Sequence, residues 1–146
     1  SLFLVLQIPV KKKLYLNTEQ PYEEFFQRCE ELKNKTMSFI KTEISKGKKI
    51  HAYGASTKGN TILQYYELDD NLIDAIADRN PDKWYRKTIG TNLEIISEEK
   101  SRSLNPDYFL ILPWHFLEEF REREQEFFKN GGKFIVPLPD FKIIEK

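Results

Sequence analysis

The strongest constraint on the fold is an alternation of short apolar segments with helical patterns. Near-continuous apolar runs occupy residues 49–53, 72–77, 107–112 and 133–138. Strands of this kind are buried on both faces, as happens when helices cover both sides of a parallel sheet. The sequence therefore predicts an α/β fold with a doubly wound, mostly parallel sheet in three α/β/α layers.

The segments between these strands carry helix signals. Pro21 opens a long helix that runs to about Lys46, with Gly47 as its C-terminal stop. Its apolar stripe predicts packing across the sheet, and it comprises Tyr22, Phe25, Phe26, Cys29, Leu32, Met37, Ile40 and Ile44. Further helices are predicted at 57–67, from the N-cap Ser97 onward, and at 115–129. Residues 88–96 are expected to be extended at most, and a polar tail follows the strand at 133–138.

The first residues form a strand candidate, at 2–8. A strand of the buried type at this position has no obvious partner in a small domain. We expect residues 1–12 to be the terminal strand of an upstream domain or a linker, and residues 13–146 to be the domain itself.

Composition narrows the classes of partner. Lys and Arg together number 23, as do Asp and Glu, so the formal net charge is zero. Nucleic-acid and membrane-surface binders need concentrated positive charge, so neither class of partner is expected. No apolar run is long enough to span a membrane. The single cysteine, Cys29, is expected to be an inert buried thiol and fits a reducing, cytoplasmic location.

The first predicted strand leads into a loop typical of phosphate binding, which runs from Gly54 to Thr61. Backbone N–H groups and the helix dipole favour an anion where such a loop opens a helix. Ser56 replaces the second glycine of the dinucleotide fingerprint, and Asn60 stands where Walker A has lysine, so NTP hydrolysis is not expected. Lys58 could supply a cation from another direction. A plain strand-to-helix turn stays an equal alternative.

Ligands of doubly wound sheets bind at the carboxyl ends of the strands, and two further groups are expected to reach that edge. Asp78 follows the second strand, as an acceptor for ribose hydroxyls or as a turn residue that caps Asn80. Arg79 and Lys83 could pair with phosphate, although such residues are more often solvated. Trp114 could stack on a base or sugar, and His115 could donate a hydrogen bond, although packing and capping are the commoner roles.

The residues carry no sign of catalysis. The sequence offers no Ser/His/Asp set and no metal constellation. The glutamates at 118–126 alternate with arginines, which predicts a solvated helix face. His51 is expected to be structural. The chain is therefore expected to be a binding module, with no catalytic or metal-ligating residue of its own.

Four motifs in order resemble one family: AYGASTKGNT, DRNPDKWYRKTIGT, PDYFLILPWHF and GGKFIVPLP. The sequence is similar, from about Pro21 to Pro139, to the C-terminal domain of S-adenosylmethionine-dependent sugar C-methyltransferases. The matching positions are Tyr53, Gly54, Ala55, Lys58, Gly59, Asn60, Asp78, Arg79, Asn80, Pro81, Pro113 and Trp114, whereas Ala52 replaces the family's usual glycine.

The resemblance implies a Rossmann-like domain that helps to bind a nucleotide-linked deoxysugar. It also implies that S-adenosylmethionine, zinc and the catalytic groups belong to an upstream methyltransferase domain. This chain alone is therefore expected to hold no cofactor, to bind S-adenosylmethionine weakly and to transfer no methyl group. A free-standing nucleotide-binding or regulatory domain is the alternative. The predicted substrate-binding residues are Tyr53, Gly54, Ala55, Ser56, Lys58, Gly59, Asn60, Thr61, Asp78, Arg79, Asn80, Trp114 and His115.

Overall fold

The computed structural model describes residues 20–146. The strand predicted at 2–8 and the domain boundary predicted at residue 12 lie outside the described residues. In the part that is described, no helix is both long and apolar enough to cross a membrane.

A sheet of six strands organises the described residues. The strands are Ile50–Tyr53 (β1), Ala75–Asp78 (β2), Ile95–Ser97 (β3), Tyr108–Ile111 (β4), Lys133–Val136 (β5) and Lys142–Ile144 (β6). Their spatial order is β3-β2-β1-β4-β5-β6. β1 to β5 are parallel, and β6 pairs antiparallel with β5. The predicted α/β fold with a mostly parallel sheet is confirmed.

The polar tail predicted after residue 138 was wrong, because residues 142–144 form β6. This strand is short and lies at the outer edge of the sheet, where Ile143 pairs with Ile135 and Ile144 with Phe134. Its side chains are exposed or only half-buried, so it lacks the continuous apolar run that marks the central strands.

The helices fall close to the predicted positions. They are Gln20–Ser45 (α1), Thr57–Tyr65 (α2), Glu98–Ser103 (α3), Leu117–Arg123 (α4) and Gln125–Lys129 (α5), with 3-10 turns at Pro81–Lys83 and Trp114–Phe116. Gly47, with φ +82°, follows the end of α1 as predicted. Ser97 caps α3, because its side chain accepts a hydrogen bond from the Lys100 amide at 3.0 Å.

The two faces of the sheet bury different side chains. On one face, α1 and α2 contribute Leu32, Ile40 and Leu63 to an aliphatic core. On the other, Phe120 of α4 and Phe128 of α5 pack with aromatic residues of the strands. Cys29 is buried on the α1 stripe, as predicted, whereas Tyr22 and Phe26 at the start of that stripe are 45% and 57% exposed. The three-layer arrangement is confirmed.

The single helix predicted at 115–129 was wrong in one respect. It is interrupted at Glu124, which separates α4 from α5. Glu124 is 1% exposed rather than solvated. Its carboxylate accepts hydrogen bonds from the Tyr53 hydroxyl at 3.0 Å and from Nε of Arg102 at 3.0 Å.

This carboxylate belongs to an ionic network beneath α3 and α4. Arg102 also donates to Glu98 at 3.0 Å, and Arg123 donates to the other Glu98 oxygen at 2.7 Å. Arg123 lies 3.2 Å from the Tyr53 hydroxyl. Burial, with the neighbouring carboxylates, raises the pKa of Tyr53 and keeps the phenol neutral. The network therefore ties the end of β1 to two helices.

Removing the charge of Glu124 tests this network. Glu124→Gln leaves Arg102 facing a neutral amide, and loss of one partner from a buried ion pair costs about 3 kcal/mol of unfolding free energy. Glu126→Gln, two residues further along the chain in α5, is the matched control, because Glu126 is 78% exposed and 3.8 Å from Lys129. It should change stability by less than about 0.5 kcal/mol. Urea unfolding measures both, and equal losses would contradict the network's role.

His51 gives the fold a predictable pH dependence. It is 2% exposed, and its Nδ1 lies 2.7 Å from the Ser101 hydroxyl. Burial lowers the pKa of His51 from its usual 6.5. As the pH falls below 6.5, His51 takes up a proton in the unfolded chain before it does so in the folded protein. The contribution of His51 to the free energy of unfolding is therefore fully present above pH 6.5, and it is lost as the pH falls towards the folded-state pKa.

We expect the free energy of unfolding, measured with urea, to fall as the pH drops through the usual histidine pKa of 6.5, at a rate of at most about 1.4 kcal/mol per pH unit. His51→Gln should flatten this dependence. The lowered pKa of Glu43 acts in the same direction but below its usual 4.5. A slope that survives His51→Gln would assign the effect elsewhere.

Candidate functional site

Three loops meet at the carboxyl edge of the sheet. The amide of Gly54, directly after β1, donates to Ala77 of β2 at 2.8 Å. A Cβ placed on Gly54 would lie 2.6 Å from the Pro113 ring, which follows β4. The convergence predicted from topology is therefore confirmed for the loops after β1, β2 and β4.

The loop after β1 has the geometry of an anion-binding turn. Gly54 adopts φ +91°, a conformation that side chains disfavour. Ser56 is the N-cap of α2, and its Oγ accepts from the Gly59 amide at 3.0 Å. Among residues 20–146 no acceptor is bonded to the amides of Thr57 and Lys58. Two backbone donors therefore face outward at the positive end of the α2 dipole.

Gly59 allows close packing at the base of this turn. A Cβ there would lie 3.0 Å from the Leu112 side chain and 3.1 Å from Ser56 Oγ. The glycine therefore brings α2 close to the end of β4, one of the two roles that the sequence suggested.

Asp78 holds the loop in place. Its Oδ2 accepts from the Ala55 amide at 2.8 Å, and its Oδ1 accepts from the Asn80 amide at 2.8 Å. Asn80 in turn accepts from the Asp82 amide at 3.0 Å and caps the following 3-10 turn. The predicted turn role of Asp78 is confirmed. Its predicted contact with a ribose stays a prediction.

Lys83, which the sequence offered as a possible partner of phosphate, is also part of this edge, although it was not among the predicted substrate-binding residues. Its Nζ donates to the Ala55 carbonyl at 2.7 Å and lies 3.5 Å from Asp78 Oδ2. Trp84 fixes the same segment, because its indole N–H donates to the Asp78 carbonyl at 2.8 Å. The sequence signal was the lysine five residues after Asp78, which cannot be told from a surface lysine without the 3-10 turn that folds it back.

Four of the predicted side chains are accessible. Lys58 and His115 are exposed, Arg79 is 67% exposed, and Trp114 is half-buried. The Trp114 and His115 rings lie 4.6 Å apart, tilted by 38°. Arg79 lies 3.5 Å from Glu119, a weak contact that leaves most of its guanidinium donors open.

Three other predicted side chains are either hydrogen-bonded within the protein or buried. Tyr53 is 1% exposed, with its hydroxyl in the Glu124 network. Thr61 donates to the Thr57 carbonyl at 3.2 Å, within α2. Asn60 Oδ1 is buried and has no hydrogen-bond partner among the described residues. Whether any of these three contacts a ligand stays a prediction.

The groups at this edge are of the kind that suits an anion. Backbone donors, Lys58, Arg79 and Lys83 surround the edge, while the Asp78 carboxylate is occupied by amides. No group of three or more metal-ligating side chains occurs within residues 20–146. A cavity of about 260 Å³ lies instead at the amino ends of β4 and β5, lined in part by Arg102, Asp107 and Phe127, and contains none of the predicted residues.

Comparisons with known proteins agree with the motifs. The family described as the C-methyltransferase C-terminal domain matches residues 8–139. The C-methyltransferase NovU of Streptomyces niveus is 33% identical over 123 residues, which cover 84% of this chain. The matched region is 29% of the length of NovU.

The packing of the loop gives a stability test with an internal control. Gly54→Ala forces a side chain into the left-handed region and against Pro113, so we expect a loss of about 2–4 kcal/mol. Gly47→Ala meets the same kind of strain, at φ +82°, but open space, so its loss should be about 1 kcal/mol. Thermal or urea unfolding measures both, and equal losses would show that Pro113 yields without cost.

Proposed function

The chain belongs to the C-methyltransferase C-terminal domain family, and we propose that it supplies substrate binding to an S-adenosylmethionine-dependent C-methyltransferase. The proposed substrate is a nucleotide-linked sugar, with its diphosphate at the N-terminus of α2. The observation that carries the proposal is the pair of outward-facing amides of Thr57 and Lys58 beside an exposed lysine and arginine.

The diphosphate suits this edge for physical reasons. Its oxygens accept hydrogen bonds from helix N-terminal amides, and its charge is favoured by the helix dipole. Lys58 and Arg79 add charge-assisted donors, the stronger class of hydrogen bond. Trp114 offers an aromatic surface beside them, suited to stacking against a base or a sugar ring.

We propose binding rather than catalysis as the contribution of this part. Apart from the Asp78 carboxylate, which amides occupy, the polar groups that the described residues place at this edge are mainly donors and cations, which suit an anion better than they suit a nucleophile paired with a base. S-adenosylmethionine and zinc are proposed to be held by an upstream methyltransferase domain. A cytoplasmic location fits the single, buried cysteine.

Lys58→Ala in the full-length enzyme tests the site. Loss of one charge-assisted hydrogen bond is worth roughly 1.5–3 kcal/mol, so the Kd of a nucleoside-diphosphate sugar should rise by about one to two decades. Titration calorimetry across a panel of such sugars at fixed salt measures it.

Lys129→Ala is the control, because Lys129 is an exposed lysine of α5, at the opposite edge of the sheet. Its Kd should match that of the wild type. An unchanged Kd in Lys58→Ala would remove the loop from the site and leave the plain strand-to-helix turn as its role.

A further inference from the structure

We propose that Lys83 is a phosphate-binding residue of this site, and that its ammonium group donates directly to the diphosphate. This inference rests on the proposed function, since it concerns the same ligand. It adds a cation that is already fixed beside the loop to the mobile cation of Lys58.

The hydrogen bonds of Lys83 leave it one donor. An ammonium group has three N–H donors. One goes to the Ala55 carbonyl at 2.7 Å, and a second faces Asp78 Oδ2 at 3.5 Å. No third acceptor is bonded to Nζ in the part of the chain that the structure describes, and the side chain is 39% exposed. The third donor is therefore available at the turn that leads to the free amides of α2.

The position of this ammonium group is built into the fold. Lys83 ends a 3-10 turn that Asn80 caps. The next residue, Trp84, donates a hydrogen bond from its indole N–H to the Asp78 carbonyl and so fixes the end of the turn. A lysine fixed by two contacts has already lost much of its rotamer freedom. Lys58 is exposed on the surface of α2 and must lose that freedom when it binds. Lys83 is thus the preorganised cation of the pair.

Charge balance points to the same role. The Asp78 carboxylate accepts from the Ala55 amide at 2.8 Å, which places a negative charge directly behind the loop. Alone, that charge would repel a diphosphate. The ammonium of Lys83, 3.5 Å from the carboxylate, offsets it. The hydrogen bond from the Ala55 amide to Asp78 therefore holds the loop in place without repelling an anionic ligand.

The test uses inorganic pyrophosphate as the probe, with inorganic phosphate for comparison, and the full-length protein at several salt concentrations. Lys83→Gln keeps a neutral donor towards Ala55 but removes the charge, whereas Lys83→Arg keeps the charge. We expect Lys83→Gln to weaken pyrophosphate binding about tenfold or more and to make it less salt-dependent. Lys83→Arg should recover most of the affinity.

The unfolding midpoint separates binding from a purely structural clamp. Wild-type affinity in Lys83→Gln would overturn the inference. So would a loss of affinity that accompanies a lower unfolding midpoint and that Lys83→Arg does not reduce. If Lys58→Ala loses affinity while Lys83→Gln keeps it, the proposed function stands and the role of Lys83 fails. If the wild-type protein binds neither pyrophosphate nor a nucleoside-diphosphate sugar, both proposals fail together.

Discussion

The clamp between Asp78 and Ala55 is the contact on which the candidate site depends. The carboxylate at the end of β2 accepts from the Ala55 amide, and Lys83 donates to the Ala55 carbonyl. Both polar groups of one loop residue are thereby tied to the segment after the neighbouring strand. Since α2 begins two residues later, this clamp fixes the direction in which its free amides point.

The other end of the same loop is held from beneath the sheet. Tyr53 is the last residue of β1, and its hydroxyl lies between Glu124 and Arg123 in the ionic network. Gly54 follows at once and packs against Pro113. The buried network therefore matters to the site without facing it, because it fixes the residue from which the loop departs.

The sequence predicted four of the five parallel strands because each of the four carries a run of apolar residues, a signal that depends on local composition alone. It did not predict β3, which has only three residues and lies in a segment expected to be extended at most. The same signal misplaced the start of β2. Leu72 and Ile73 are apolar, yet their amides bond to the Asp69 carbonyl in a turn, and the strand begins at Ala75. β6 escaped prediction for the opposite reason, since an edge strand can form with half-exposed side chains.

The side chains whose surroundings were not predicted, in the candidate site and in the ionic network, are those that contact residues distant in the sequence. Glu124 sits among charged neighbours in the sequence, and only its contacts with Tyr53 and Arg102 make it a buried group. Lys83 looks like a surface lysine until the 3-10 turn brings it to Ala55. Sequence spacing locates a loop well, but it cannot show which of these side chains fold back, because the partners named here lie 22 or more residues away.

The open position of the loop bears on how the site acquires affinity. Lys58 is exposed and Arg79 is 67% exposed, so a diphosphate held by these groups alone would keep much of its hydration. Charge-assisted hydrogen bonds strengthen when water is excluded, because the local dielectric constant falls. The matched region is 29% of the length of NovU, so most of such a protein lies outside this domain. If an upstream domain covers this edge, as the proposed function has it, the charge-assisted bonds would strengthen on assembly, and binding by this domain alone would be weaker than binding by the full-length enzyme.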